Sequence, residues 1–364
     1  RMSEPILPQV LINRLEQVEP ALAVNQLIPL LTHYWFTGNH LMAYNDQIGM
    51  QVPMKTEFRG AVPGKFLELL KVKSTSISKN KPDKIELTGS TSELVVKHGR
   101  RTNFKLAMLE PNFVFDMPKP SRREPLPEAS MEKLIDAVSH CLISVGRDTS
   151  TIEQLGITLE PKDNNVTLYA TDGATISRSK LDPGTIQLDA RAIVPTKFCE
   201  QMIALYRAKK IQCDFEVGIA GETRYALFTA GKTRLYGRLL ESRNPLNFEG
   251  TVDYHLPRGH SSKLVKVPGA LHAALERACI VCDAQRRLTH VIIDNGKMVL
   301  KSKSDTEEVT DELPYPHNGA GRLEVKLEPK LLKKAEDYDK MMVHGPCVIM
   351  SKGQSVYLVS CSTA

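Results

Sequence analysis

Apolar residues recur at helical spacing in six stretches of the chain, and the six fall into three pairs. The first helix of each pair is predicted over residues 8–19 (Val10, Leu11, Leu15, Val18), 129–142 (Met131, Leu134, Ile135, Val138) and 268–281 (Leu271, Ala274, Leu275, Ala278). The second helix follows a short extended stretch and a proline, within residues 58–70, 188–203 and 323–335. Its apolar stripe is Phe66, Leu69 and Leu70, then Phe198, Met202 and Ile203, then Leu331, Leu332 and Ala335. The opposite face carries Lys65, Glu68 and Lys71, then Lys197, Glu200 and Arg207, then Lys330, Lys333 and Lys334. One stripe packs inward and the other meets water.

The spacing of these stretches is regular. Pro63, Pro195 and Pro329 lie 132 and 134 residues apart, and each is expected in the first turn of its helix, where the missing N–H has no partner to lose. Three strands ending at or beside Asp46, Asp172 and Asp305 repeat with similar phase, and turn formation or helix capping accounts for the aspartates. The remainder alternates as strands, for example residues 84–88, 92–98, 224–229 and 355–359. A proline-rich stretch at 118–127 and a shorter one at 257–263 punctuate the chain. The pattern predicts an α+β protein of three repeated domains, 1–122, 123–257 and 258–364, each with two helices and antiparallel sheet.

Composition adds constraints. The chain has 364 residues, 41% of them hydrophobic and 25% charged, as expected of a soluble globular protein, and no apolar run long enough to span a bilayer. The opening residues lack the basic-then-apolar order of a secretion signal, and Arg1 before Met2 reads as a cloning remnant. Seven scattered cysteines fit reduced thiols in cytosol. Cys279 and Cys282 have metal-ligand spacing, but no second pair completes a zinc set, so the apolar run around them (Leu275, Ala278, Ile280, Val281) is read as a buried helix end. The excess of 48 basic over 42 acidic residues permits a polyanionic partner without requiring one.

Particular residues resemble a known family, the bacterial β sliding clamp (DNA polymerase III beta subunit). Ala170, Thr171, Asp172 and Gly173, followed by Ile193, Val194, Pro195, Thr196, Lys197 and Phe198, are similar to its middle domain. Residues 275–280, followed by a strand pair and Asp305, are similar to its last domain, and residues 110–118 sit where the family closes its first. The resemblance implies clamp-fold domains in a head-to-tail dimeric ring whose helices line a central hole. It implies a cytoplasmic processivity factor, without a catalytic site, metal or other cofactor, that encircles duplex DNA. Its partners would be a polymerase and a clamp loader carrying short peptide motifs.

Such a ring needs phosphate attraction that does not read sequence. The candidates on the polar helix faces are Arg14, Lys65, Lys71, Lys73, Lys133, Arg147, Lys197, Arg207, Lys209, Lys210, Arg277, Lys330, Lys333 and Lys334. Each alone is better read as a solvated helix position, and only their recurrence on corresponding helices points to DNA. Glu68, Glu132, Glu200 and Glu276 on the same helices read as helix partners. By resemblance, an apolar cleft for partner peptides would use Leu155, Thr171, Gly173, Ala174, Thr175 and Ile176, with Pro245, Tyr357, Leu358, Val359 and Ser360. The family carries a basic and a leucine-like residue after the turn glycine and ends in a Met-Pro-Met-like tail. This chain has Ala174, Thr175 and Ile176 there and ends in Ser360, Cys361, Ser362, Thr363 and Ala364. That departure points to a smaller, more polar rim and dedicated partners, as in a phage-encoded or divergent clamp.

An enzyme reading finds no phosphate-binding loop, nucleophile elbow or zinc motif. The alternative is a clamp-fold scaffold that no longer encircles DNA.

Overall fold

The computed structural model describes residues 5–24, 28–72, 84–98, 102–110, 115–121, 124–147, 149, 151–208, 211–257, 259–282, 288–316 and 321–363. The chain begins with α1 (Pro8–Val18), β1 (His33–Phe36), β2 (His40–Tyr44), β3 (Ile48–Pro53) and β4 (Gly60–Pro63). Next come α2 (Phe66–Lys71), β5 (Ile85–Gly89), β6 (Glu93–His98), β7 (Thr102–Ala107) and α3 (Glu128–Leu142). The middle holds β8 (Gly156–Lys162), β9 (Asn165–Thr171), β10 (Thr175–Lys180), β11 (Ala192–Pro195) and α4 (Thr196–Ala208). It continues through β12 (Cys213–Ala220), β13 (Thr223–Ala230), β14 (Thr233–Arg238), α5 (Phe248–His255), α6 (His260–Lys263) and β15 (Val265–Lys266). The last part contains α7 (Leu271–Val281), β16 (Thr289–Asp294), β17 (Lys297–Lys303), β18 (Glu308–Pro314) and β19 (Leu323–Leu327). It ends with α8 (Pro329–Lys333), β20 (Lys340–His344), β21 (Cys347–Lys352), β22 (Ser355–Ser360) and β23 (Ser362–Thr363).

These elements form two compact units, Arg1–Met131 with Lys197–Leu239, and Glu132–Thr196 with Leu240–Ala364. The first unit has a seven-stranded sheet ordered β12-β13-β14-β3-β2-β1-β4 and a three-stranded sheet β5-β6-β7. The second has an eight-stranded sheet β11-β8-β9-β10-β22-β21-β20-β15 and a five-stranded sheet β18-β17-β16-β19-β23. All pairings are antiparallel. In each unit one joint unites strands far apart in sequence: β14 on β3 (Leu235↔Met50), and β10 on β22 (Ser177↔Tyr357). The middle third of the chain therefore supplies strands to a sheet in both units.

Most of the helical stripes bury as their spacing requires, but Val10 of α1 is 47% and Leu69 of α2 40% exposed, each at the outer margin of its stripe. Leu11, Leu15 and Val18 of α1 are fully buried in the first unit, and α7 buries Leu271, Ala274, Leu275 and Ala278 in the second. Each large apolar side chain so buried contributes about 1.5–3 kcal/mol. In the first unit Tyr44 stacks on Phe115 at 4.0 Å, and Trp35 Nε1 donates to the Leu30 carbonyl at 2.8 Å. In the second, Tyr315 and Tyr357 sit in the core with Val291, Leu300, Leu332 and Met350. Among the described residues no helix is long and apolar enough to cross a membrane.

Several expectations need correction. Of Pro63, Pro195 and Pro329, only Pro329 lies in its helix's first turn. Pro63 and Pro195 instead close β4 and β11, opposite His33 and Gly156, and both strands end their sheets. An edge strand can spare the N–H that proline lacks. Asp46, Asp172 and Asp305 lie in strand-to-strand turns and cap no helix. Ile280, expected in a buried helix end, is 78% exposed, because it stands two residues past Ala278, about 200° round the helix and so on the opposite face. The 257–263 stretch contains the single turn α6, and α5 has no counterpart in the expected helix pairs. Its signal was the cap: Asn247 Oδ1 accepts from Gly250 N at 3.0 Å. The stretch at 118–127 is held on β12, with Ser121 N and Oγ donating to Glu216 and Leu126 N donating to Asp214.

Candidate nucleic-acid interface and partner pocket

The cations expected to face DNA divide by what they already bond. Lys73, Lys209 and Lys210 lie outside the described residues. Lys71 pairs with Glu16 at 3.0 Å, Lys333 with Glu276 at 3.0 Å, and Lys334 with Asp172 at 3.2 Å. Lys133 pairs with Asp182, and the Arg277 fork takes both oxygens of Asp311. The Lys333 hydrogen bond lowers the Glu276 carboxyl, and the bond to Asp311 raises Arg277. Arg14 donates to Gln17 at 3.2 Å.

Lys65, Lys197, Lys330 and Arg207 are exposed, and among the described residues their side chains form no ion pair or hydrogen bond. Three of them stand at corresponding places. Lys65 is the N-cap residue of α2, and Lys197 and Lys330 are the second residues of α4 and α8. A cation there opposes the helix dipole, so it does not stabilise the helix and its ammonium remains available to an anion.

A pocket of about 800 Å³ lies in the second unit, between the end of α3, the β9–β10 turn and the end of α8. The apolar stripe of α3 runs past the helix, so that Leu142, Ile143 and Val145 form one wall. Arg147, Gln154, Asp172 and Lys334 form the polar rim. Asp172 builds the turn: its Oδ1 accepts from Ala174 N at 3.1 Å, Thr175 N at 2.7 Å and the Thr175 hydroxyl at 2.8 Å. Its Oδ2 is left to face Lys334 Nζ. Gly173 follows at φ +89°, a conformation that strains any side chain. Thr171 Oγ1 donates to the Thr175 carbonyl at 2.7 Å and accepts from Gly173 N at 3.1 Å. Beneath the turn a buried hydroxyl chain links Thr175 to Ser144 at 3.2 Å and Ser144 to Ser177 at 2.6 Å. The rim is therefore anchored to the core.

The expected cleft residues are brought together, but not onto one surface. The turn of Thr171, Gly173, Ala174 and Thr175 sits beside Ser360, whose N donates to the Ala174 carbonyl at 3.0 Å. Along β22, Tyr357 and Val359 point into one core cluster while Leu358 joins Ile176 in another, as strand alternation demands. Leu155 ends a short 3-10 turn and its carbonyl accepts from Thr196 Oγ1 at 2.8 Å. Pro245 is exposed on the loop before α5. Of this set, Ala174 alone lines the pocket, whereas Arg147 and Lys334, expected to face DNA, both line it. Leu142, Ile143 and Val145 were not anticipated, although the α3 periodicity continues through them.

No protein-family model matches the chain, and no curated protein matches it either. Solved structures match it throughout. The DNA polymerase III subunit beta of Pseudomonas aeruginosa aligns at a TM-score of 0.77 and 19% identity, covering 100% of both chains. The DNA polymerase III beta subunit of Thermotoga maritima gives 0.79 and 18% over 100% of both. A sliding clamp (DNA polymerase III subunit beta) from Bartonella birtlesii, bound to griselimycin, gives 0.81 and 16% over 100% of both. Over its whole length, then, this chain has the fold of the sliding clamps.

Proposed function

We propose that the protein is a DNA sliding clamp: a non-catalytic cytoplasmic ring that encircles duplex DNA and tethers a polymerase for processive synthesis. The observation that carries this reading is the end-to-end likeness to DNA polymerase III beta subunits, at TM-scores of 0.77 to 0.81. The recurrence of two helices and a sheet at intervals near 130 residues supports three clamp domains, 1–122, 123–257 and 258–364. The unpaired Lys65, Lys197 and Lys330 are the first candidates for phosphate contact, and the paired cations take part where DNA can compete for them.

Ring closure requires a second copy. β7 and β18 each end a sheet, with six and seven residues. Each is backed by a helix: Phe66 of α2 packs on Phe104 of β7, and Arg277 of α7 bonds Asp311 of β18. At the ends of these two helices Val72 is 69% and Ile280 is 78% exposed. An end strand backed by a helix that carries an exposed apolar residue is a template for pairing. The β7 edge of one copy on the β18 edge of another gives a head-to-tail contact, and two such contacts close a two-subunit ring. The pocket at the β9–β10 turn is the candidate site for the short peptides of the polymerase and loader.

Topological retention tests the function. The protein should be a dimer by light scattering and should co-elute with nicked circular DNA in gel filtration. Cutting that circle once with a restriction enzyme should release it. Retention unaffected by cutting would sink the ring, and a monomer without retention would favour a clamp-fold scaffold.

A further inference from the structure

We infer that Cys279 and Cys282 form a redox-responsive pair: a small-molecule disulfide such as oxidised glutathione converts the two thiols to one disulfide, and this reshapes the end of α7 that carries Ile280. Its effect on subunit association rests on the reading of α7 as part of the ring contact; the thiol chemistry does not.

The helix brings the two side chains together. Cys282 N donates to the Ala278 carbonyl at 2.9 Å, so the last helical turn closes through Cys282. Three residues along a helix separate Cα atoms by about 5 Å, within the span of roughly 4.4–6.8 Å that a disulfide bridges. Both cysteines lie on the same side of the buried stripe, about 100° and 40° round from Ala278. Both are partly exposed. Among the described residues no third histidine, cysteine or carboxylate completes a metal set around them.

The remaining thiols are placed to stay inert. Cys141, Cys199, Cys213 and Cys347 are buried, and burial pushes the Cys361 thiol up to about 12. Burial raises the Cys279 thiol too, but Lys333 and Lys330 of α8 oppose the rise. The exchange balances without any other reactant. One cysteine thiolate attacks the reagent's S–S bond and expels one thiolate, leaving a mixed disulfide. The second cysteine thiolate attacks the protein sulfur of that bond and expels the other. The pair gives up two protons and two electrons, and the reagent leaves as two thiols.

The bond cannot form without moving the helix end. Cβ atoms three residues apart on a helix stand about 5–6 Å apart, whereas a disulfide holds them at about 3.5–4.5 Å. The last turn of α7 therefore tightens. Cys282 Sγ, now 3.7 Å from Thr289 Oγ1, is drawn away from the start of β16, and Ile280 between the two cysteines is re-aimed. Strain of this kind also leaves the bond easily reduced, as transient disulfides are.

The test incubates the full-length protein with oxidised glutathione at about pH 8, where thiolate is available, then blocks free thiols with iodoacetamide and digests with trypsin. Residues 278–286 should appear in the mass spectrum as one unalkylated peptide, two hydrogens lighter than its dithiol form. Dithiothreitol before the block should restore two alkylated cysteines. By sedimentation velocity the oxidised dimer should dissociate about tenfold more readily, and reduction should reverse this. The double variant Cys279→Ser, Cys282→Ser should give neither change, with its circular dichroism melt as the check on folding. A peptide carrying glutathione, or two alkylated cysteines, after oxidation would overturn the inference. A disulfide that forms without altering dissociation would overturn the reshaping of the ring contact and leave the ring itself, judged by DNA retention, intact. A protein that is monomeric before oxidation would overturn the ring reading, while the mass spectrum still decides the thiol pair.

Discussion

At the residue scale, close backbone approach is the most demanding feature of the second unit. Gly156 opens β8 opposite Pro195, and a Cβ placed on it would sit 2.4 Å from the Val194 carbonyl oxygen. Backbone cannot yield as a side-chain end can. Gly156→Ala should therefore destabilise by about 1–3 kcal/mol, seen as a lowered melting temperature in calorimetry; an unchanged melt would refute the packing argument. Arg178 poses the opposite case. It is 8% exposed, burial holds its guanidinium below its usual range, its Nε has no partner among the described residues, and its bond to Asp253 is long at 3.5 Å. A buried charge so poorly compensated contributes little, so Arg178→Met should leave stability within about 1 kcal/mol or raise it. Equilibrium urea unfolding decides, and a loss of several kcal/mol would show that the pair matters. Neither position was legible in the sequence: a glycine before a β-strand and an arginine on one look ordinary until their neighbours across the sheet are known. The aspartates were legible as turn formers, since their side chains act on their own backbone.

At the element scale, local periodicity revealed the helices, while their neighbours stayed hidden. The α3 and α7 stripes bury as spacing demands, and α1 buries Leu11, Leu15 and Val18 but leaves Val10 exposed. Which strand joins which sheet is set by long-range pairing, as in β14 on β3, and no short window of sequence carries it. The 118–127 stretch shows the cost of reading composition alone. Its prolines read as a free linker, yet Glu216 and Asp214 on β12 bind its backbone. Glu216→Ala should loosen it and speed tryptic cleavage after Arg122 and Arg123, measured by mass spectrometry against the unmodified protein; an equal rate would mean the two bonds do not restrain it. On α3, burial holds the His140 imidazole below its ordinary value of 6.5, with Lys352 acting in the same direction and Asp136 and Asp337 opposing. Between the lowered value and 6.5 the unfolded chain binds more protons than the folded one. The stability that comes from keeping His140 neutral is thus complete above pH 6.5 and is lost as pH falls through that window. The melting temperature should drop between pH 7.5 and 5.5, and less steeply in His140→Phe, which keeps a ring against Tyr338.

At the scale of the whole molecule, the threefold repeat was the feature most readable from sequence, because recurrence needs no knowledge of contacts. What it could not tell was which exposed apolar residues are left over once each domain has closed on itself. Ile280 illustrates the gap. Its apolar neighbours suggested a buried position, but α7, which bonds β18 through Arg277 and Asp311, turns it outward, 78% exposed. Within one chain such a residue has no work to do, and changing it should move stability by no more than about 0.5 kcal/mol. In a ring closed by β7 and β18 it would be desolvated against a second copy, where a carboxylate is costly. Ile280→Asp should therefore melt at the temperature of the unmodified protein at dilute concentration while sedimenting as a monomer. That monomer should lose retention on nicked circular DNA. A variant that stays dimeric would move the ring contact away from α7, and one that unfolds would show that Ile280 supports the unit itself.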